Sequence, residues 1–177
     1  DTFYGHREEG LDIDCINADD FITSGRDQQV VVWKTEKQTQ TVFTGHDYAI
    51  DRVRVVNTET FLTASQDGGV FLWNTRKKKP IFKHQSAHHG SWISSLGVLQ
   101  NTDLFATGAG DHKLNIYQLA NDLKSFNVLQ NLPTEGITTD IKLRDGLLLA
   151  VCSDEHRLGR WLTDRCRNHI KIFSYKM

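Results

Sequence analysis

Two histidine–aspartate pairs are the residues of this sequence that could most readily do chemistry. His6 precedes Asp27 and His46 precedes Asp67, each by 21 positions, and an imidazole beside a carboxylate is the arrangement of a general base. The whole pattern recurs after 40 residues, however, whereas a reactive site is normally unique in a chain. Buried polar groups need partners, because an unsatisfied one costs about 1–3 kcal/mol. We therefore predict a structural hydrogen-bonded network within each repeat, formed by His6, Thr23, Asp27, Trp33, His46, Thr63, Asp67, Trp73, Thr107 and Asp111.

A second group of chemically capable residues lies in the arginine-rich segment Glu155–His169. Its formal charge is +2 with neutral histidines, whereas the whole chain carries −1. The planar guanidinium group suits phosphate oxygens and base edges, an indole offers a face on which a base can stack, and glycine permits a sharp turn. The candidate contacts to RNA or to a ribonucleoprotein are His156, Arg157, Gly159, Arg160, Trp161, Arg165 and Arg167. The alternative is that the arginines solvate a long hairpin and Trp161 covers the rim of the fold.

Two further groups of basic side chains have weaker claims to a function. The run Arg76–Lys79 (Arg76, Lys77, Lys78 and Lys79) is expected in a turn before a strand, either as a solvated charged turn or as a secondary basic patch for phosphate or a partner. The connector His84–Trp92 contains three histidines, but no Cys, Asp or Glu stands with them to complete a metal site. We therefore predict a surface loop with one network histidine, no metal and no cofactor.

The elements that must position these residues are short strands. Val30–Trp33 and Val70–Trp73 are rich in β-branched and aromatic residues and follow polar turns, which is typical of β-strands. Thr41–Phe43 and the segment that begins at Pro80 fit outer strands, because proline is tolerated at a free sheet edge. The sequence is therefore predicted to be all-β.

The spacing of these elements resembles a WD-repeat β-propeller. Gly45-His46, Asp67 and Trp73 repeat Gly5-His6, Asp27 and Trp33, and a third copy places Asp111 six residues before Tyr117. In the fourth copy, 19 residues separate Asp154 from Phe173 where the other copies use six, so the copy carries an insertion of 13.

The repeat frame divides residues 1–177 into one partial strand and four blades. We expect residues 1–5 to form the outer strand of a preceding blade. The blades are expected at residues 6–45, 46–85, 86–132 and 133–177, the last without its outer strand and with the inserted loop 155–169. These are predicted to be the four C-terminal blades of a seven-bladed ring, and a self-contained ring of four blades is the alternative.

Composition narrows the class of protein. A net charge of −1 favours no polyanion for the molecule as a whole, so any nucleic-acid site must be local. Cys15, Cys152 and Cys166 form no C-x-x-C pair, which favours a reducing compartment over a disulfide framework. Because the sequence has no long apolar run, signal peptide or initiator Met, we expect no membrane partner and suspect that part of the parent polypeptide is missing at the N-terminus.

Three stretches carry a closer resemblance to one group of WD-repeat proteins. The stretches are Ser91–Leu96, Asn101–Gly108 and above all Glu155–Trp161, with the sequence Glu-His-Arg-Leu-Gly-Arg-Trp. They resemble the family of the U3 small nucleolar ribonucleoprotein-specific WD-repeat protein, its 55-kilodalton component. Tyr117 and Phe173 depart from the repeat pattern by replacing Trp.

The resemblance implies a non-enzymatic role in the nucleolus. Family members dock on the box B/C region of U3 small nucleolar RNA beside a 15.5-kilodalton RNA-binding protein, with other small-subunit processome proteins as further partners. The U3 particle guides the processing of pre-ribosomal RNA for the small ribosomal subunit. The family's last-blade loop is implicated in this association and corresponds here to Glu155–His169.

Two other classes of function remain open from sequence. A generic WD-repeat protein-interaction scaffold, such as a ubiquitin-ligase substrate receptor, predicts binding that depends weakly on salt. An enzyme is disfavoured, because outside the repeated His and Asp residues we find no nucleophile–base pair and no phosphate-binding glycine loop. For RNA binding, four arginines on phosphates predict a slope of log K against log salt of roughly −3, at about −0.7 per contact.

Overall fold

The computed structural model describes residues 2–100, 102–144 and 146–174, without the side chains of Trp161 and Leu162. All regular elements of these residues are β-strands, arranged in four blade sheets and one two-stranded hairpin. The prediction of an all-β propeller with four blades is confirmed.

Each of the first three blades is a four-stranded antiparallel meander whose strands follow chain order. The first blade contains β1 (Gly10–Cys15), β2 (Asp20–Gly25), β3 (Gln29–Lys34) and β4 (Thr39–Thr44). The second contains β5 (Ile50–Val55), β6 (Thr60–Ser65), β7 (Val70–Asn74) and β8 (Lys77–His84). The third contains β9 (Ile93–Val98), β10 (Leu104–Ala109), β11 (Lys113–Leu119) and β12 (Phe126–Pro133).

The fourth blade sheet has three strands among the described residues. These strands are β13 (Ile137–Arg144), β14 (Leu147–Ser153) and β17 (His169–Ser174). Between β14 and β17 the chain forms a separate hairpin of β15 (Glu155–His156) and β16 (Gly159–Thr163). The segment that the sequence marks as an insertion is thus partly ordered as a β-hairpin.

Apolar layers between neighbouring blades form the core. One layer joins the first and second blades around Phe43, Phe61 and Trp73, and another joins the second and third around Leu72 and Phe105. A third layer joins the third and fourth blades. Because the second blade is covered on both faces, every residue of β6 is buried. Burial on both faces also explains why β7 of this blade begins with the apolar run Val-Phe-Leu-Trp.

The polar network of the first blade closes around one threonine. His6 Nδ1 lies 3.0 Å from Asp27, and His6 Nε2 lies 2.8 Å from the Thr23 hydroxyl. The same hydroxyl accepts a 2.8 Å hydrogen bond from the Trp33 indole N–H. A Cβ on Gly5 would lie 2.6 Å from Cη2 of Trp33, so a glycine precedes the histidine because the indole packs against its backbone.

The second blade keeps this network with one change. Thr63 lies 2.7 Å from His46 Nε2 and accepts a 2.8 Å bond from Trp73. Asp67 instead accepts hydrogen bonds from the Ser65 hydroxyl and, at 2.9 Å, from a backbone N–H of its own turn. Within the part of the chain that the structure describes, His46 Nδ1 therefore has no hydrogen-bond partner, and the ring stacks at 3.9 Å on the ring of Phe71. Burial lowers the pKa of His46 to about 4.

The third blade builds the network from the histidine-rich connector. His88 lies 3.0 Å from Asp111 through Nδ1 and 2.7 Å from Thr107 through Nε2. Tyr117 takes the place of the tryptophan, and its hydroxyl accepts a 3.2 Å bond from Asn115. His88 is thus the network histidine of this connector.

The low pKa of His46 makes stability depend on pH. The folded protein holds the ring neutral down to about pH 4, whereas the unfolded chain takes up a proton near 6.5. The contribution is therefore complete above pH 6.5 and is lost as pH falls from 6.5 to 4, by about 3 kcal/mol. We expect His46→Gln to show a smaller loss of unfolding free energy over this range than the wild type in urea titrations.

His89→Gln is the matched control for this experiment, because His89 is exposed. The control should follow the wild-type pH dependence. Equal pH dependence in the wild type and His46→Gln would contradict the assignment.

The N-terminal residues differ from the prediction. We expected residues 1–5 to form an outer strand, but residues 2–5 form no strand, and residue 1 lies outside the described residues. Phe3 instead packs edge-on against Phe21 and Trp33, at 6.0 and 5.8 Å between ring centroids. Within the described residues this segment pairs with no strand, and it is held on the first blade by apolar packing of Phe3.

The innermost strands are joined across the blades by aspartate side chains. Asp12 accepts a 3.0 Å hydrogen bond from the backbone N–H of Val53, and Asp14 accepts a 2.8 Å bond from that of Val55. These N–H groups of β5 are not paired with the backbone of a neighbouring strand, and the two carboxylates of β1 accept their hydrogen bonds instead. The inner strands β1 and β5 are therefore linked to each other by side-chain hydrogen bonds as well as by packing.

Candidate nucleic-acid interface

The hairpin of the fourth blade begins and ends on local hydrogen bonds. The Asp164 N–H donates to the Asp154 carbonyl at 2.7 Å, and the Asp154 N–H donates to the Asn168 side chain at 3.0 Å. His156 is paired with Gly159 across the turn, and Gly159 has a φ of 147°, which residues with a Cβ rarely adopt. The sequence-predicted role of Gly159 in a sharp turn agrees with this geometry.

His156 points into the protein. The residue is 3% exposed, and its ring lies 4.1 Å from the ring of Trp92, which precedes β9 of the third blade. Its Nδ1 accepts a 3.3 Å bond from the Leu158 N–H, whereas Nε2 has no hydrogen-bond partner among the described residues. Burial, reinforced by Arg157 and Arg52, lowers the pKa of His156 to about 4. The neutral ring therefore serves packing at neutral pH.

Arg157 also turns inward, towards the second blade. Its guanidinium donates a 3.0 Å hydrogen bond to the backbone carbonyl of Asp51 and lies 3.9 Å from the Asp51 carboxylate. Only 21% of the Arg157 side chain is exposed. Among the four arginines of the segment, Arg157 is thus engaged with the protein, which the sequence did not indicate.

Asp51 is a buried carboxylate that receives contacts from three parts of the chain. It is fully buried and accepts hydrogen bonds from the Trp92 indole N–H and, at 3.3 Å, from the Gln66 side chain. Burial raises the pKa of Asp51, and the bond from Trp92 and the charge of Arg157 oppose that rise. The carboxylate therefore joins residues of the second, third and fourth blades.

A second charged side chain of β5 links the inner strands below the hairpin. Arg52 donates 2.8 Å bonds to the carbonyls of Ser94 and Thr139, and it lies 3.8 Å from Asp12 and 3.6 Å from Asp140. Burial is the main cause that lowers the pKa of Arg52, and the positive charge of Arg157 lowers it further. One arginine of the second blade thus contacts all three of the other blades.

We call this group of charged residues the inner-strand cluster. It contains three aspartates and three arginines, whose formal charges cancel. Arg54 belongs to it because its guanidinium donates a 2.5 Å hydrogen bond to the Asp12 carboxylate. The members are Asp12, Asp51, Arg52, Arg54, Asp140 and Arg157. Because the charges are balanced, the cluster can hold the hairpin without attracting a distant polyanion.

Sequence reasoning missed the inner-strand cluster except for Arg157. One signal was present, because Asp51, Arg52 and Arg54 interrupt a strand whose other residues are Ile and Val. Three charges in an inner strand require partners when the strand is buried. Their partners lie on other blades, so the sequence did not indicate which residues they contact.

The remaining arginines of the segment face solvent. The Arg160 side chain is 83% exposed and pairs with Glu155 at 3.0 Å, which is a surface contact of small energy. Arg165 and Arg167 are exposed, and within the described residues neither side chain forms an ion pair. The side chain of Trp161, another sequence-predicted candidate, lies outside the described residues. The structure thus leaves Arg160, Arg165 and Arg167 able to meet phosphates.

The secondary basic patch lies at the other end of the blades. β7 runs from the Asp67 turn, at the end where Asp51 also lies, to Asn74 at the opposite end, and Arg76 follows there. Arg76 pairs with Glu59 at 2.5 Å. The Arg76–Lys79 patch and the hairpin therefore belong to opposite faces.

The expectation that this whole run forms a turn is wrong for its lysines. Lys77, Lys78 and Lys79 are exposed residues of β8. The connection is short because the Asn74 side chain accepts a 2.9 Å bond from the Arg76 N–H, which closes the turn within two residues.

Across the described ranges, no three His, Cys, Asp or Glu side chains are grouped so that they could hold a metal ion. In those same ranges no helix is long and apolar enough to cross a membrane.

Comparison with known proteins gives consistent matches. The WD domain, G-beta repeat family matches residues 37–74 and 79–118. The mouse protein named U3 small nucleolar RNA-interacting protein 2 is 34% identical over 136 residues, covering 71% of this chain and 29% of the mouse protein. The Arabidopsis thaliana U3 snoRNP-associated protein-like EMB2271 is 28% identical over 178 aligned positions, covering 91% of this chain and 37% of that protein.

A solved structure described as U3-55K superposes on almost the whole chain. The TM-score is 0.95 at 32% sequence identity, and the match covers 99% of this chain and 57% of that one. The chain thus spans well under half the length of the curated relatives and little more than half of this structure.

Proposed function

Because the chain belongs to the family of WD-repeat proteins that includes U3 small nucleolar RNA-interacting protein 2, we propose that it works in the U3 small nucleolar ribonucleoprotein. Its role is that of a non-enzymatic subunit which binds box B/C of U3 small nucleolar RNA together with the 15.5-kilodalton protein. Through that particle it supports pre-ribosomal RNA processing for the small ribosomal subunit, alongside other small-subunit processome proteins in the nucleolus. The names of the relatives support the particle and the process.

One observation carries the RNA-binding part of this proposal. The hairpin presents Arg160 to solvent, and the segment between β16 and β17 presents Arg165 and Arg167, while Arg157 at the hairpin tip is fixed to β5 of the second blade. Guanidinium groups on a fixed support contact phosphates at a smaller entropic cost than mobile ones. Outside the segment Glu155–His169 the chain carries a formal charge of −3, so this segment favours a polyanion more than the rest of the chain taken together.

The parent protein is proposed to form a ring of seven blades. The chain covers 57% of the U3-55K structure, about the share that four blades take of seven. The fourth blade sheet has three strands among the described residues, and Ile170 and Ile172 of its last strand are 66% and 63% exposed. A ring would supply β17 with a fourth strand, as the other blades have.

The test is binding of the complete protein to box B/C RNA that already carries the 15.5-kilodalton protein. Fluorescence anisotropy across a salt series should give a slope of log K against log salt of about −2, since three arginines each contribute about −0.7. Box B/C RNA alone and an unrelated stem-loop RNA of equal length are the controls and should bind more weakly.

Two results would contradict the proposal. One is binding that is independent of salt, which fits a protein-interaction scaffold such as a ubiquitin-ligase substrate receptor. The other is equal affinity for the unrelated RNA, because the proposed docking requires the box B/C RNA with its bound protein and not RNA in general.

A further inference from the structure

We infer that Asp51 and Trp92 are positioning residues for RNA recognition, because they hold the arginine hairpin in one orientation from two neighbouring blades. The inference rests on the proposed function and adds to it residues that do not themselves touch RNA. It gives a buried carboxylate a positioning role in RNA recognition, although a carboxylate by itself repels phosphate.

The hairpin needs external support. β15 has two residues and β16 has five, and an isolated two-stranded hairpin is marginally stable in water. Its base is closed by the hydrogen bonds of Asp154 and Asp164, but these leave the direction of its tip undetermined. Contacts of the tip with another part of the protein must therefore fix that direction.

The contacts at the tip come from the second and third blades. The guanidinium of Arg157 binds the Asp51 carbonyl, 106 residues earlier in the chain, and lies beside the Asp51 carboxylate. The His156 ring packs on the ring of Trp92. The Trp92 N–H donates to the Asp51 carboxylate, so the two contacts share one support.

This arrangement makes the hairpin span three blades. It leaves the fourth blade after Ser153 and is held by β5 of the second blade and by the residue that precedes β9 of the third. Arg160 lies just after the turn that follows the two held residues, His156 and Arg157. Its position relative to Arg165 and Arg167 therefore depends on the contacts that Asp51 and Trp92 make with the hairpin tip.

The sign of the electrostatic effect makes the inference testable. Removing a negative charge near an RNA site should strengthen binding if charge alone acts. Removing the charge of Asp51 should instead weaken binding, because the hairpin must then be ordered when RNA binds. Positioning adds no phosphate contact, so the slope of log K against log salt should stay the same.

The experiment compares Asp51→Asn, Trp92→Phe and the control Asp47→Asn in the complete protein. Asp47 is an exposed carboxylate in the loop before β5, so its substitution makes the same change in charge. Affinity for box B/C RNA with the 15.5-kilodalton protein is measured across the salt series. Hydrogen exchange of the hairpin amides is measured without RNA.

We expect Asp51→Asn to bind about tenfold more weakly at every salt concentration with an unchanged slope, a size typical of ordering a short loop on binding. Its hairpin amides should exchange faster than in the wild type. Trp92→Phe keeps an aromatic ring beside His156 and loses the N–H donor, so it should show a smaller change in the same direction. Asp47→Asn should bind as well as the wild type or slightly better.

The outcomes that overturn the inference are distinct from failure of the proposed function. If the wild type binds and Asp51→Asn binds equally or more tightly, the inference is wrong and the proposed function stands. Weaker binding with unchanged hairpin exchange also overturns it, because the hairpin was then not released. If the wild type does not bind this RNA, both fail together.

Discussion

Replacing Arg160, Arg165 and Arg167 together by alanine is expected to make binding of the box B/C ribonucleoprotein less dependent on salt, so that the slope of log K against log salt becomes less negative by about 2. Each phosphate contact to single-stranded RNA contributes about 0.7 to the slope of log K against log salt. All three side chains are exposed, so their removal leaves no buried charge unpaired. The expected loss is therefore in binding and not in stability.

The chain offers a control with the same change in charge. Lys77, Lys78 and Lys79 are three exposed cations on β8, at the end of the blades opposite the hairpin. Their replacement by alanine should change the salt slope by much less than the arginine variant does. Equal effects of the two triple variants would mean that total charge, rather than the hairpin, determines binding.

Arg52→Met is expected to lower the free energy of unfolding by about 3–5 kcal/mol. Arg52 donates to two backbone carbonyls of other blades, and removal of one partner from buried charged contacts typically costs this amount. Methionine fills much of the same volume, so the loss reports the hydrogen bonds and charge rather than a cavity. Urea unfolding of the complete protein at neutral pH measures the effect.

A surface arginine provides the comparison. Arg26 lies 3.7 Å from Glu9, and both side chains are about half exposed or more. Arg26→Met should change the unfolding free energy by less than about 1 kcal/mol. An Arg52→Met variant as stable as Arg26→Met would show that Arg52 does not hold the inner strands together.

Much of the fold could be predicted because the blades repeat a similar pattern of strands and buried polar residues. In the first two blades a histidine, a threonine and a tryptophan satisfy one another, so their spacing recurs and indicates the strands. The third blade shows where this reasoning weakens. His88 takes the network position without a preceding glycine, because Tyr117 replaces the larger tryptophan.

The candidate site was only partly readable from the sequence. The insertion and its positive charge indicated that the segment Glu155–His169 is the candidate site, but they did not indicate which of its arginines face solvent. Arg157 turns inward because it meets Asp51, 106 residues away, and a local pattern carries no information on so distant a contact. The lysines of the Arg76–Lys79 patch were assigned to a turn for a related reason, since a side-chain hydrogen bond of Asn74 shortens that turn.

Ultraviolet cross-linking of the assembled particle, followed by mass spectrometry, tests the central claim most directly. The complete protein is bound to box B/C RNA with the 15.5-kilodalton protein, irradiated and digested, and the cross-linked peptides are mapped. Our account predicts that the RNA cross-links of this chain fall within residues 155–169 and the neighbouring loops of the same face. Cross-links confined to the opposite face, at Arg76–Lys79, would contradict it.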